Sequence, residues 1–392
     1  MNDPVVIVAA KRTPIGSFQG QFSTVPATVL ASACIADLMS GSGVEGADVS
    51  EAILGCVLPA GLGQAPARQA VLGAGLPVGL PCTTVNKVCG SGMKALMLGH
   101  DQILAGTAAV VLAGGMESMS NAPYLLPKAR GGYRLGHGQL LDHMFIDGLQ
   151  NPEDQKLMGC FAELCAQKYG FTRAGQDDYA AESVRRACAA IGEGRFVAEI
   201  SPVKVAGRSG EVSVAQDETP LKCDIARIAQ MKPAFQKDGS VTAANASSIS
   251  DGAAALLIMG EAEAKRRGLK PLAIIRGHAT YAQAPEWFTT APVGAIERLL
   301  GRVGWRAGEV DLYEINEAFA VVTMAAMREL ELPHARVNVN GGACALGHPI
   351  GATGARILVT LVHALRVRGL RRGIASLCIG GGEATAVAVE VV

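Results

Sequence analysis

The run Ala109-Val110-Val111-Leu112-Ala113-Gly114-Gly115-Met116-Glu117-Ser118 is similar to Ala375-Ser376-Leu377-Cys378-Ile379-Gly380-Gly381-Gly382-Glu383-Ala384. Each is an apolar stretch ending in glycines. Each follows a glycine-rich helix start: Gly90-Ser91-Gly92-Met93-Lys94-Ala95 in the first half, Gly351-Ala352-Thr353-Gly354-Ala355-Arg356 in the second. Two matches in the same order predict a duplicated unit, with two halves related by pseudo-symmetry. The unit itself reads as α/β. Short apolar runs at 5–9, 51–57 and 108–113 predict strands. Amphipathic stretches at 29–39, 65–74 and 92–104 predict helices, and the alternation predicts a largely buried sheet.

Between the halves lies a region of different character. It carries isolated charges, Arg130-Gly131-Gly132-Tyr133-Arg134, a predicted helix at 177–191 and a turn at 207–210. It reads as an insertion packed on the core, with substrate contacts. The expected division is therefore 1–119 with 250–270 as one core half, 120–249 as the inserted loop domain, and 271–392 as the second half. At 250–258 the chain should re-enter the core as a strand or helix edge.

Bulk properties exclude several function classes. With 392 residues, 49% of them hydrophobic and 18% charged, the chain can bury a large core. Its formal net charge is zero, so neither nucleic acid nor an anionic membrane is favoured as a partner. No apolar run reaches the roughly 18 residues a membrane span needs. The N-terminal segment runs straight into a strand, and the C-terminal Val389-Glu390-Val391-Val392 is no peroxisomal address, so the cytoplasm is expected. The ten cysteines include no CxxC pair and no zinc-like cluster, as in a chain from a reducing compartment.

Three segments carry chemistry. Cys89 precedes Gly90-Ser91-Gly92 and a predicted helix, where the helix dipole would stabilise a thiolate and lower its pKa. The ordinary alternative is a dinucleotide-binding turn, since Gly90 to Ala95 fits GxGxxA. No acidic residue follows a second strand at the required distance, which argues against it. His348, hemmed by Gly347, Pro349 and Gly351, sits before a helix expected from about Ala352. It can take the Cys89 proton and polarise a thioester carbonyl. Cys378 ends an apolar strand before three glycines. Alone it would read equally as a buried strand cysteine; the glycine run favours a site, with the Gly380 N–H in an oxyanion hole. Asn316, after a predicted strand at 310–315, is either a helix N-cap or a holder of water or carbonyl oxygen, and spacing does not decide between them.

Together these segments resemble the thiolase family over essentially the whole chain. The carriers are Cys89 in VCGSG, Asn316 in NEAFA, His348 in GHPIGATGAR and Cys378 in CIGGG, with 114–120 and 338–343 as further similar segments. The resemblance implies duplicated βαβαβαββ halves in an α-β-α-β-α core. It implies Cys89 as the acylated nucleophile, His348 as its activator and Asn316 as the holder of a water. Cys378 would exchange a proton with the second substrate's α-carbon, and the N–H groups of Cys89 and Gly380 would form an oxyanion hole. The implied reaction is ping-pong and reversible: Claisen condensation of two acetyl-CoA, or thiolysis of a short 3-ketoacyl-CoA. Acyl-CoA and CoA are substrates, and no metal or redox cofactor is implied.

The resemblance also assigns CoA contacts to the insertion. Ala243, Ala244 and Ser247 would meet the pantetheine, while Lys222 and Arg227 would meet the nucleotide. Met158, Ala318 and Phe319 would line the thioester pocket. At 287–292, Trp287-Phe288-Thr289-Thr290-Ala291-Pro292 departs from the Met-Gly-x-Gly-Pro of many bacterial biosynthetic members, and Phe288 would form a pocket wall. A short-chain member is implied, with a broader-chain 3-ketoacyl-CoA thiolase as the alternative. A ketoacyl synthase would place His or Asn where Cys378 stands. A catalytically dead homologue would not keep all four positions. A homo-oligomer is expected, a dimer or a dimer of dimers, with 130–141 resembling the tetramer loop.

Overall fold

A computed structural model describes residues 3–207 and 210–392. Nine strands build the core: β1 (Val5–Arg12), β2 (Glu51–Gly55), β3 (Cys82–Val85), β4 (Val110–Ser118), β5 (Ser250–Gly260), β6 (Ala273–Ala282), β7 (Leu312–Ile315), β8 (Arg372–Ile379) and β9 (Glu383–Glu390). The principal helices are α1 (Ala27–Ser42), α2 (Pro66–Gly73), α3 (Ser91–Leu104), α4 (Met158–Tyr169), α5 (Arg173–Gly192), α6 (Ala291–Val303), α7 (Ala320–Glu329) and α8 (Ile350–Val367). The strands run in the order β7-β8-β9-β6-β1-β5-β4-β2-β3, with Gly16–Ser17 added on β5.

The duplication is explicit in this order. In the first half β2 is parallel to β3 and β4, β4 is antiparallel to β5, and β5 is antiparallel to β1. In the second, β7 is parallel to β8, β8 is antiparallel to β9, and β9 is antiparallel to β6. The counterpart of β3 has shrunk to one parallel bridge, Tyr313 to Val337. The halves join where β1 meets β6 through Val6–Ile274 and Ile7–Ala273.

Two-residue periodicity sets the layers. Val5 and Ile7 of β1 pack with Met93 and Leu96 of α3 and with Ile357 and Leu361 of α8; Val6 and Val8 pack on the opposite face with α1 and α2. In the second half Leu377 and Val387 face the same central helices, while Ile374 and Ala386 face α6. The result is the five-layer α-β-α-β-α arrangement. The central pair crosses closely: a Cβ on Gly92 would lie 2.8 Å from the Ala355 nitrogen, and one on Gly354 would collide with Met93.

Enclosure corrects one expectation. Helix α8 has 18 residues and a mean hydropathy of 1.3, enough by length and composition to cross a membrane. Most of it is buried between the two half-sheets, which is why it is apolar nearly all round.

The chain leaves the sheet after Ser118 and returns at Ser250. Arg12 ties the intervening segment to β1. Its guanidinium donates to Asp217 through Nη1 (2.7 Å) and Nη2 (2.9 Å) and to Glu199 through Nε (2.5 Å), all fully buried. Both of its fork edges are matched by carboxylates, so the buried charge is compensated. Of the expected 207–210 turn, Arg208 and Ser209 lie outside the described residues. Its flanks, Val203–Gly207 and Gly210–Val214, pair antiparallel.

Candidate active site

The loop from β3 into α3 is held in a strained shape. Val88 has φ +45°, a region a β-branched residue rarely adopts. Local hydrogen bonds keep it there. The Val88 N–H donates to Asn86 Oδ1 (2.8 Å), the Ser91 hydroxyl donates to the Val88 carbonyl (2.6 Å), and the Lys87 N–H donates to Ser91 Oγ (2.9 Å). Cys89 follows directly, with its sulfur on a cavity of about 510 Å³. Burial pushes its pKa up to about 11; the N–H groups of Gly380 and of Cys89 itself face the sulfur and oppose that rise. The expectation of a lowered pKa is therefore corrected. Cys89 stands two residues ahead of α3, and desolvation outweighs the helix dipole there.

His348 reaches the same cavity. Its Nδ1 is 2.7 Å from Thr353 Oγ1, and the Thr353 hydroxyl donates to the Pro349 carbonyl (2.9 Å). Thr353 has one proton and has given it away, so it accepts from Nδ1–H. Nε2 is thereby the unprotonated nitrogen, and it has no hydrogen-bond partner among the described residues. Burial, aided by the Arg356 charge, depresses the His348 pKa to about 3. The site accordingly rests as a neutral thiol beside a neutral imidazole.

Cys378 is buried at the end of β8, and its pKa is pushed well above the ordinary value by burial and then by the Cys89 thiol. The chain then reverses through Gly380 to Gly382 into β9. Gly381 and Gly382 have φ +93° and +89°, and a Cβ on Gly382 would collide with the Gln283 carbonyl. This turn brings the Gly380 N–H round to Cys89.

The insertion supplies the opposite wall. Ala246 bridges to Phe319 antiparallel, the Ser247 N–H donates to the Ala318 carbonyl (2.9 Å), and the His348 N–H donates to the Ser248 carbonyl (3.1 Å). Phe288 stands edge-on to Phe161 and Phe319, with ring centroids 6.4 Å apart in each pair, and Phe235 is edge-on to Phe319 at 6.0 Å. An apolar cavity thus gathers two thiols, one unprotonated ring nitrogen and a backbone N–H. Such a constellation suits acyl transfer through a thioester.

Family models for the thiolase N-terminal domain and the thiolase C-terminal domain match residues 5–262 and 269–391. The chain belongs to the thiolase family. It is 52% identical to an acetyl-CoA acetyltransferase of Pseudomonas aeruginosa, covering 98% of each chain. It is 50% identical to acetyl-CoA acetyltransferase 2 of Arabidopsis thaliana, covering 99% of this chain and 97% of the relative. A crystal structure of the Bacillus anthracis acetyl-CoA acetyltransferase superposes with a TM-score of 0.97 at 43% identity, covering 100% of this chain and 99% of that one.

Within this thiolase, the cavity is lined by Cys89, Cys378, His348, Gly380, Met158, Ala243, Ser247, Phe288, Ala318 and Phe319 of the expected residues. Ala244 lies outside the lining. Asn316 is buried and off the lining, with neither amide atom hydrogen-bonded among the described residues. It is not an N-cap, because α7 starts only at Ala320 with Phe319 as its cap. A buried amide held this way needs a water or a substrate oxygen. Lys222 and Arg227 are also off the cavity. Lys222 pairs with Glu218, and Arg227 is exposed on the turn Ile225–Gln230. The local pattern did not reveal Phe235 or Leu149, which reach the cavity through long-range packing.

Away from the cavity, the fold brings His278 to the adjacent residues His100 and Asp101, giving three potential metal ligands. His100 Nδ1 and His278 Nε2 lie 3.0 and 2.8 Å from Asp101 Oδ1. Hydrogen bonds within the trio already satisfy these atoms.

Proposed function

We infer that this thiolase is an acetyl-CoA C-acetyltransferase. It would run the reversible condensation of two acetyl-CoA to acetoacetyl-CoA and CoA through acyl-Cys89. The observation that carries this reading is the convergence of Cys89, Cys378, the free Nε2 of His348 and the Gly380 N–H on one apolar cavity. In the first half-reaction the Cys89 sulfur attacks the thioester carbonyl and His348 Nε2 removes the thiol proton. Cys378 gives its proton to the departing CoA sulfur. The thiolate left behind is a strong base, since its apolar surroundings disfavour the anion, and it takes the α-proton of the second acetyl-CoA. The enolate oxygen would be held by His348 and by the water on Asn316. The carbonyl oxygen of acyl-Cys89 would be held by the N–H groups of Cys89 and Gly380.

The aromatic wall at Phe288 and Phe319 favours short acyl chains. The insertion, 120–249, is the proposed CoA-binding and assembly segment. A free sheet edge at β3 suits pairing with a second copy. Leu135, Leu140 and Tyr124 are 98%, 67% and 65% exposed, which suits burial in a dimer of dimers. Ten unpaired cysteines fit a reducing compartment such as the cytoplasm, and no resident cofactor is needed.

Thiolysis of acetoacetyl-, 2-methylacetoacetyl- and 3-ketohexanoyl-CoA, followed by loss of magnesium-enolate absorbance, tests the reading. Strong preference for acetoacetyl-CoA supports it. Equal rates on the longer or branched substrates would make the enzyme a broad 3-ketoacyl-CoA thiolase.

A further inference from the structure

Two carboxylates that the chemistry above does not use are fully buried beside it, Glu117 and Glu317. Glu117, near the end of β4, accepts N–H groups from Val57 (3.0 Å), Leu58 (3.1 Å) and Gly351 (2.9 Å). Glu317, next to Asn316, accepts from the Tyr179 hydroxyl (2.9 Å), Ser183 hydroxyl (2.7 Å), Asn338 amide (2.8 Å) and Cys344 N–H (3.0 Å). Glu317 thus has about as many donors as a carboxylate can use, and Glu117 has three N–H donors with the Cys56 thiol 3.8 Å away. The backbone groups they hold flank one residue. Cys344 is four residues before His348, and Gly351 is three after it. Ser183 also accepts the Gly342 N–H (2.9 Å), which extends the grip on the leading side.

We propose that Glu117 and Glu317 are positioning residues that clamp the His348 segment from its two flanks and so fix the direction of Nε2. Glu317 fixes Asn316 by the same contacts. The clamp joins separate parts of the chain. Glu117 anchors the trailing flank to the loop after β2, in the first half. Glu317 anchors the leading flank to α5 of the insertion through Tyr179 and Ser183. Among the described residues the His348 ring makes one side-chain hydrogen bond, with Thr353, so its aim depends on where this backbone is held. A displacement of about 1 Å at such a group costs on the order of 10²-fold in rate.

The inference rests on the thiolase reading, and every comparison is made against the wild-type rate, so an inactive wild type would refute that reading rather than this one. The test measures kcat and KM for acetoacetyl-CoA thiolysis in Glu117→Gln and Glu317→Gln. Each variant places an amide NH2 against donors that faced a carboxylate. The control is Leu299→Ala in the outer layer, a fully buried residue of α6 away from the cavity, compared at matched loss of Tm. Expected is a fall in kcat of about 10²-fold with KM within about threefold, while the control keeps kcat within about threefold. A kcat loss no greater than the control's, or a loss confined to KM, overturns the clamp. If either glutamine variant fails to fold, Tyr179→Phe and Ser183→Ala remove one Glu317 donor each. A graded kcat loss at constant KM, larger in the double variant, then supports the clamp, and unchanged kcat in all three overturns it.

Discussion

The two halves share an element order but end their equivalent strands differently. In the first half β4 runs on for nine residues through Gly114 and Gly115, and residues 119–249 intervene before β5. In the second half β8 stops at Ile379, and Gly380 to Gly382 suffice to turn into β9. The first ending places a buried carboxylate, Glu117, and sends the chain away to build the substrate wall. The second places a thiol, Cys378, and a backbone N–H directly on the cavity. The two like frames thus differ in one connection, and the short glycine turn is the one that keeps its strand end on the cavity.

In the proposed mechanism the nucleophile lies in the first half and the base in the second. Cys89→Ala should therefore give the largest effect, a loss of about 10⁴-fold or more in turnover with no acetyl group found on the protein by mass spectrometry. Cys378→Ser should cost about 10³-fold in condensation yet still accumulate acetyl-Cys89. Normal condensation by that variant would dissolve the division between the halves.

Next in size is Asn316→Ala, for which we expect about 10²-fold in kcat, the cost of losing one oxyanion donor. Gly382→Ala should lower kcat by a smaller factor and destabilise the protein by about 1–3 kcal/mol, because its φ of +89° and the neighbouring Gln283 carbonyl leave no room for a Cβ. Wild-type Tm in Gly382→Ala would contradict the view that this turn is under backbone constraint.

Much of this was legible in the sequence. Apolar runs marked the core strands because their alternation is local, and glycines beside Cys89, His348 and Cys378 marked places where backbone must come close. What escaped depends on distant contacts. The pKa direction of Cys89 is set by burial under the second half, which no local helix argument contains. Asn316 at the end of a strand looks like a cap, and only the start of α7 at Ala320 shows otherwise. The burial of Glu117 and Glu317 has no local signal, since it depends on donors brought from far along the chain, such as Gly351 and Tyr179. The parallel bridge at Val337 is too short to leave a periodic signal.

The last effect concerns stability alone, and it sharpens the comparison by pH. Native His348 resists protonation down to about 3, whereas an unfolded histidine takes up its proton near 6.5. As pH falls below about 6.5 the unfolded state gains a proton that the native state refuses, so the native state loses ground until about pH 3. At pH 4.5 this difference amounts to about 2–3 kcal/mol, at 1.36 kcal/mol per pH unit. Cys89 has the opposite sense. Its pKa is raised from 9.0 to about 11, so its contribution is lost on the alkaline side, as pH climbs from about 9 to 11. Urea unfolding at pH 7 and 4.5 should therefore show wild type losing about 2–3 kcal/mol more than His348→Asn on acidification. Cys89→Ala should lose as much as wild type over the same interval. If His348→Asn also lost as much, the imidazole would be titrating as though in water. The burial-depressed, neutral imidazole of the resting site would then have to be abandoned.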